Sequence, residues 1–340
     1  ARICGEKMQL KLNELVGIKP GPQEYGSDSM NQWYNSLYPK LFTTKDPRNA
    51  DNAVAFLGRH PSFANFSTWN FIGYAYERNG DFTNAGKYYE KAVSVTGNEK
   101  EEYHSWMYYC NFLARSGEYL RAEEYIKRME RLATEANPLF RDGYRAEAMN
   151  AKTVYYLSVG DYSAYAQASE KNLEYYSALW HKNNNNPCDP YPAIRATNLA
   201  YAKEMTKDYT GAEKKWKTRD SLNTIWVNCY NKTYPNSHYY PLSMYPVYLV
   251  KRGKQRLAPK PLSFYAKETE EHYNSYSEYA DISINYMRAT HLGFLGSDSY
   301  PAIFEPILAE IKRTRNFRES TAPYINYSYW HSRLTSGSVI

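Results

Sequence analysis

A short punctuation recurs through the middle of the chain and constrains what surrounds it. Gly80-Asp81-Phe82, Gly117-Glu118-Tyr119, Gly160-Asp161-Tyr162 and Lys207-Asp208-Tyr209 stand at intervals of 37, 43 and 47 residues. Each consists of a small or polar residue, an acid and an aromatic. Glycine ends a helix in a left-handed conformation that a Cβ would strain. An acid near the start of the next helix is favoured by the helix dipole. The segments on either side carry apolar residues at helical spacing. The pattern predicts consecutive antiparallel helix pairs, each completing its core only by stacking on a neighbour.

The first pair carries the fullest signature. Trp69-Asn70-Phe71-Ile72-Gly73-Tyr74-Ala75-Tyr76 has the form W-x2-I-G-x2-Y, and Ala85-x3-Tyr89-x2-Ala92 follows. This resembles the tetratricopeptide repeat, whose unit of about 34 residues has Leu and Phe where Ile72 and Tyr89 stand here. Three weaker copies follow. The second has Trp106, Tyr109, Cys110 and Leu113, then Ala122 and Ile126. The third runs from Met149 to Tyr156, with Thr153 at the close-packing position and Tyr165 where alanine is expected. The fourth has Ala196, Leu199, Ala200 and Lys203, then Ala212 and Trp216, with Lys207 in place of glycine.

The resemblance implies an all-α fold, an α-solenoid of tetratricopeptide-like hairpins wound as a right-handed superhelix, with degenerate flanking helices. It divides the chain into 1–65, an irregular N-terminal segment with a capping helix; 66–222, the four units; and 223–340, Tyr/Pro-rich loops with a degenerate helical pair. In the first part, Pro20-Gly21-Pro22 and Gly26 to Ser29 read as loop, and Asn49 to Leu57 as a short helix ending at Gly58 before His60-Pro61. Asn183 to Asn186, with Pro187, Pro190 and Pro192, reads as a long loop inside the repeats. Further on, Tyr234-Pro235, Tyr240-Pro241 and Tyr245-Pro246 read as turn or extended, because the residue before proline avoids helix. Helix is expected from Phe264 to Leu292, stopped by Gly293 and Gly296, and again from Pro301 to Arg315. Ala280–Leu292 and Pro301–Arg315 would form a fifth, degraded unit. The tail from Ser320 reads as irregular.

Composition narrows the function classes. The chain is 43% hydrophobic and 23% charged, which is globular, and its 37 tyrosines can cover half-exposed surfaces. No apolar run approaches the ~18 residues of a membrane span. Cys4, Cys110, Cys188 and Cys229 form no CxxC pair and have no histidine at ligand spacing, which argues against zinc. Cys110 reads as a core residue, and whether Cys188 and Cys229 bridge stays open. The start at Ala1 fits processing, as in an exported or periplasmic protein, or a piece of a longer one. There is no HExxH, GxSxG or glycine-rich phosphate loop, so no catalytic residue, metal ligand or cofactor is nominated.

The resemblance implies a binding surface instead. In this family the first helix of each unit lines the concave face. Mapped here, that face offers Asn70, Tyr74 and Glu77; His104, Met107, Asn111 and Arg115; Asn150, Val154 and Leu157; and Ile194, Thr197, Tyr201 and Glu204. Tyrosine combines apolar area with a polar tip, which suits peptide recognition. The expected function is a non-catalytic scaffold or sensing module that binds a protein or peptide segment. Family members that grip a C-terminal carboxylate use a Lys and an Asn. Asn111 matches the latter, but Asn70 stands where the lysine would. Arg219-Asp220-Ser221-Leu222-Asn223 also resembles helix ends in repeat-bearing sensor domains of bacterial signalling kinases. A second class is a glycan or small-ligand binder using Trp and Tyr platforms, with Tyr230–Tyr248 as the aromatic segment. A third is an RNA-associated scaffold using Lys214-Lys215-Lys217-Arg219, Lys251-Arg252-Lys254-Arg256 and Lys312-Arg313-Arg315-Arg318. The net charge of only +6 argues against the third. Asn65, Asn231 and Asn326 sit in N-x-S/T sites.

Overall fold

The computed structural model of the chain describes residues 32–43, 46, 48–233, 242–274 and 282–306. The loops expected before residue 32, Tyr234-Pro235, Tyr240-Pro241, the third basic cluster, Asn326 and the tail from Ser320 lie outside the described residues. The chain divides into two units, 1–40 and 41–340. The first described elements are a π-helical turn, Trp33–Leu37, and α1 (Tyr38–Thr43).

The second unit is a succession of helices with no strand among the described residues: α2 (Arg48–Arg59), α3 (Phe66–Arg78), α4 (Phe82–Ser94), α5 (Glu99–Ser116), α6 (Tyr119–Glu135), α7 (Pro138–Val159), α8 (Tyr162–Lys182), α9 (Tyr191–Met205), α10 (Tyr209–Thr233), α11 (Tyr245–Lys251), α12 (Leu262–Asn274) and α13 (Ile282–Phe294). Helix α3 packs on α4, α5 on α6, α7 on α8 and α9 on α10, and each first helix also meets a helix of the preceding pair. These are the four hairpins the punctuation predicts.

The punctuation itself is one repeated cap. Gly80 has φ 83°, Gly117 φ 90°, Gly160 φ 79° and Lys207 φ 63°. At each, the left-handed residue donates its N–H to a carbonyl three residues back, and the next residue donates to one five back. Gly80 bonds Glu77 at 3.0 Å and Asp81 bonds Tyr76 at 3.0 Å; Lys207 bonds Glu204 at 3.0 Å and Asp208 bonds Lys203 at 2.8 Å. This satisfies carbonyls that a helix end leaves open. The acid caps the next helix. Asp81 accepts from Asn84 N–H at 3.0 Å, Asp161 from Ala164 at 2.9 Å and Asp208 from Gly211 at 2.9 Å. Glu118, one methylene longer, makes no such cap and pairs with Arg121 at 2.7 Å.

The same cap recurs at Gly253 (φ 67°) and Gly296 (φ 73°), after α11 and α13. Here the structure differs from the extended reading of Tyr245-Pro246. Pro246 occupies the first turn of α11, where its missing N–H has no helical partner to lose. Helix α10 also continues past Leu222 to Thr233, and Gly58 lies inside α2. Of the helix expected over Phe264–Leu292, α12 and α13 are described and residues between them are not. Residues 300–306 are helical, and the remainder of the expected helix to Arg315 lies outside the described residues.

Packing between paired helices follows a small-large rule. Ala85, Ala122 and Ala212 are fully buried, and Tyr89, Ile126 and Trp216 four residues later are nearly so. The third hairpin reverses the order, with Tyr165 buried at the small position and Ser169 buried at the large one. Exchanging the two sizes keeps the seam filled, as dense cores require. In the first hairpin Gly73 gives room to a ring: a Cβ there would stand 3.1 Å from Tyr89. Cys188 and Cys229 form a disulfide, Cα–Cα 5.2 Å, tying the loop before α9 to the end of α10. Cys110 is a buried thiol.

Candidate functional site

Two of the nominated residues, 38 positions apart, meet each other. Arg115 at the end of α5 donates from Nε to Glu77 Oε1 at 2.6 Å and from Nη2 to Oε2 at 2.9 Å. Tyr89 of α4 donates its hydroxyl to Glu77 Oε2 at 2.9 Å. Burial, then the Glu77 charge, pushes the Tyr89 phenol well above its usual value. The arrangement repeats further on. Trp216 Nε1 donates to Glu204 Oε1 at 2.6 Å, and Lys251 of α11 pairs with Glu204 Oε2. In both, the acid lies three residues before a left-handed cap, at Gly80 and at Lys207. In both, the cation lies two residues before the next such cap, at Gly117 and at Gly253. Glu77 and Glu204 thus join one hairpin to the helix that follows.

The remaining nominated residues divide by exposure. Asn70 is buried, and neither atom of its amide has a hydrogen-bond partner among the described residues. Tyr74 is 36% exposed. His104, Met107, Asn111 and Asn150 are half-buried, and Asn150 Oδ1 accepts from Arg195 Nη1. Tyr201 and Leu157 belong to the core, and Thr197 is buried with its hydroxyl on Ala193 O at 2.9 Å. Val154 is half-buried, whereas Ile194 is exposed.

The sequence pattern does not single out Tyr108 of α5. Burial, the largest cause, holds its phenol above the ordinary value. Tyr108 also meets Phe71 edge to face, with ring centroids 6.3 Å apart. At the α7–α9 side, Tyr176 donates to Glu147 Oε1 at 3.2 Å, and Tyr176 stacks on Tyr191 at 5.4 Å. Beside this pair lies Arg195, 3% exposed, with its guanidinium 4.8 Å from the Tyr176 ring and 5.5 Å from that of Tyr191. Tyr191 and Ile194 remain open to solvent. Helical spacing could have found this corner: Tyr191 and Arg195 are four apart on one face.

Among the described residues no group of three or more His, Cys, Asp or Glu could hold a metal ion, and no helix is long and apolar enough to cross a membrane.

Comparison with known families identifies the first hairpin. The tetratricopeptide repeat pattern matches residues 66–99, which are α3, α4 and the link to α5. The chain carries the tetratricopeptide repeat. A crystal structure of a Rap protein complexed with Competence and Sporulation Factor has the same fold as this repeat array. Its TM-score is 0.59 at 12% identity, over 98% of this chain and 88% of that one. No curated protein matches the sequence.

Proposed function

We propose that this chain is a non-catalytic interaction module that binds a protein or peptide segment across the first helices of its tetratricopeptide units. The observation that carries the reading is exposed aromatic and apolar area on the first helices: Tyr74 of α3 and Tyr191 and Ile194 of α9 are each more than a third open to solvent, and Tyr108 of α5 packs edge to face on Phe71 of α3. Aromatic area next to amides and charges is the composition of protein-binding hot spots. The Rap protein, solved with Competence and Sporulation Factor, is a precedent for a bound factor on this fold. The nominated set is narrowed by this reading. Tyr74, Asn111 and Asn150 stay as contact candidates with Tyr108, Tyr191 and Ile194, while Glu77, Arg115, Tyr201 and Glu204 hold the scaffold.

The polyanion alternative loses support from the basic clusters. Lys217 pairs with Glu213, Arg219 with Asp220 and Lys251 with Glu204, so these charges already have acidic partners. The test is selection from a random peptide library on immobilised protein. Enrichment by the wild type that is lost in Tyr74→Ala/Ile194→Ser, with an unchanged circular dichroism spectrum, supports the reading. Enrichment unaffected by the double variant, or retention of sugars on a glycan array without retention of peptides, overturns it.

A further inference from the structure

A hole of about 430 Å³ opens between the second helices α4 and α6, and none of the nominated residues lines it. Phe82, Tyr109 and Phe112 give it an aromatic floor. The Phe112 ring stacks on each of the other two with centroids 6.3 Å apart. A Cβ at Gly86 would stand 3.3 Å from the Phe112 ring, so the glycine lets α4 approach that ring closely. Arg121 of α6 stiffens the wall. Its Nη1 donates to Glu118 Oε2 at 2.7 Å, and its Nη2 reaches across to Glu90 Oε1 of α4 at 2.7 Å. Tyr109 donates its hydroxyl to the same Glu90 oxygen at 2.6 Å. A wall held in this way is formed before anything enters, which lowers the ordering that binding must supply. Lys87 also lines the hole and forms no ion pair among the described residues. Beside the hole stands a knob. Leu120, next in sequence to Arg121, is 81% exposed, the most open large apolar side chain among the described residues. Tyr119 before it is also exposed.

We propose that this face pairs with the same face of a second copy of the chain about a two-fold axis, with Leu120 of each copy seated in the aromatic hole of the other. An apolar knob beside an aromatic hole is self-complementary. A two-fold rotation sets each knob against the other copy's hole, and the contact closes as a dimer. The charges follow the same symmetry. Glu90 and Glu118 share the single guanidinium of Arg121, so that part of the rim is a negative pole. Lys87 is the positive pole. When Leu120 enters the other copy's hole, Glu118, two residues before it, arrives at the rim where Lys87 stands. Each positive pole then meets the other copy's negative one, whereas a partner of one sign only would be repelled at one of the two. Tyr74, Tyr191 and Ile194 take no part, so this pairing stands apart from the peptide reading.

The test is sedimentation velocity of the intact chain from about 1 to about 100 μM, where a small interface populates both states. The wild type should pass from monomer to dimer and form nothing larger, because an isologous contact closes. Leu120→Asp carries a charge into the aromatic hole and should weaken pairing by about tenfold or more. Its side chain is exposed in the single copy, so the circular dichroism spectrum should not change. Lys87→Glu and Glu118→Lys each set like charges together twice in a symmetric pair, and each alone should weaken pairing about tenfold. Mixed in equal amounts, the two variants should dimerise as the wild type does. Both contacts between positions 87 and 118 then join opposite charges, one of them with the signs exchanged. If Glu118→Lys does not fold, Leu120→Asp and Lys87→Glu decide. A chain that stays monomeric throughout overturns the proposal. So does a dimer indifferent to Leu120→Asp, or a mixture that pairs no better than its components, because another surface then joins the copies. Growth into larger species overturns it too, since only an open, head-to-tail contact continues to add copies.

Discussion

Changing Glu77 to Gln tests whether the repeat array is joined by buried charge. The side chains of Arg115 and Glu77 are 18% and 9% exposed, and the pair is bidentate. Removing one partner of such a pair costs about 3–5 kcal/mol, because the other charge stays buried. Gln keeps the shape and can still accept from Tyr89, which puts the expected loss near ~3 kcal/mol. Repeat arrays unfold in parts, so a single global free energy misstates the effect. Native-state hydrogen exchange of amides in α3 and α5 reads it locally. Glu77→Gln should raise their opening by about two orders of magnitude, while α9 and α10 change little. The double variant Glu77→Gln/Arg115→Met should recover most of the loss, giving a coupling of about 2 kcal/mol or more. A single-variant cost under ~1 kcal/mol, with additive behaviour in the double, would mean that water screens the pair as on a surface, and the reasoning fails.

Three other outcomes are expected. Lys207→Gly removes a side chain from a left-handed position and should stabilise α9–α10 by about 1 kcal/mol, read as slower exchange there; a loss of protection would refute the strain argument. Burial, then Lys100, lowers the His104 pKa, so the unfolded chain takes up the proton first as pH falls through 6.5. Stability should therefore fall with pH below that point and level off once the folded ring is protonated, and His104→Gln should flatten this slope in urea midpoints measured from pH 7.5 to 5. Reducing the Cys188–Cys229 disulfide should cost about 4 kcal/mol for a loop of this length, measured as exchange in α9 and α10 with and without a phosphine reductant.

Much of the fold could be read from backbone chemistry that acts over a few residues. Gly80, Gly117 and Gly160 announce left-handed caps, and Asp81, Asp161 and Asp208 announce the helices after them. Even Lys207 was legible by register despite the wrong side chain. Gly253 stayed hidden because Pro246 reads as a helix breaker unless it is known to stand in a first turn. The third hairpin looked degraded because Tyr165 and Ser169 exchange sizes, which single positions do not reveal. The site was less legible, for a physical reason. Glu77 and Arg115 look like any inner-face charges until the fold brings residues 38 apart into one ion pair. Arg195 sits next to a packing alanine, and nothing local says that Asn150 and Glu147 of another hairpin will face it. The disulfide likewise depended on the long α10 carrying Cys229 back to the loop at Cys188.

That crosslink also sets how the molecule bears load. When the two ends of the chain are drawn apart, force entering at residue 188 passes through sulfur to residue 229 and bypasses everything between. Helices α9 and α10 then carry no tension while the earlier hairpins, from α3 to α8, unravel in series. Roughly 150 Å of contour, the extended length of the 41 residues so bridged, would be missing from the stretched chain until the bond is reduced. Tyr191 and Arg195 are therefore mechanically sheltered, whereas Glu147, Asn150 and Tyr176, which complete their corner, sit in hairpins that bear the load.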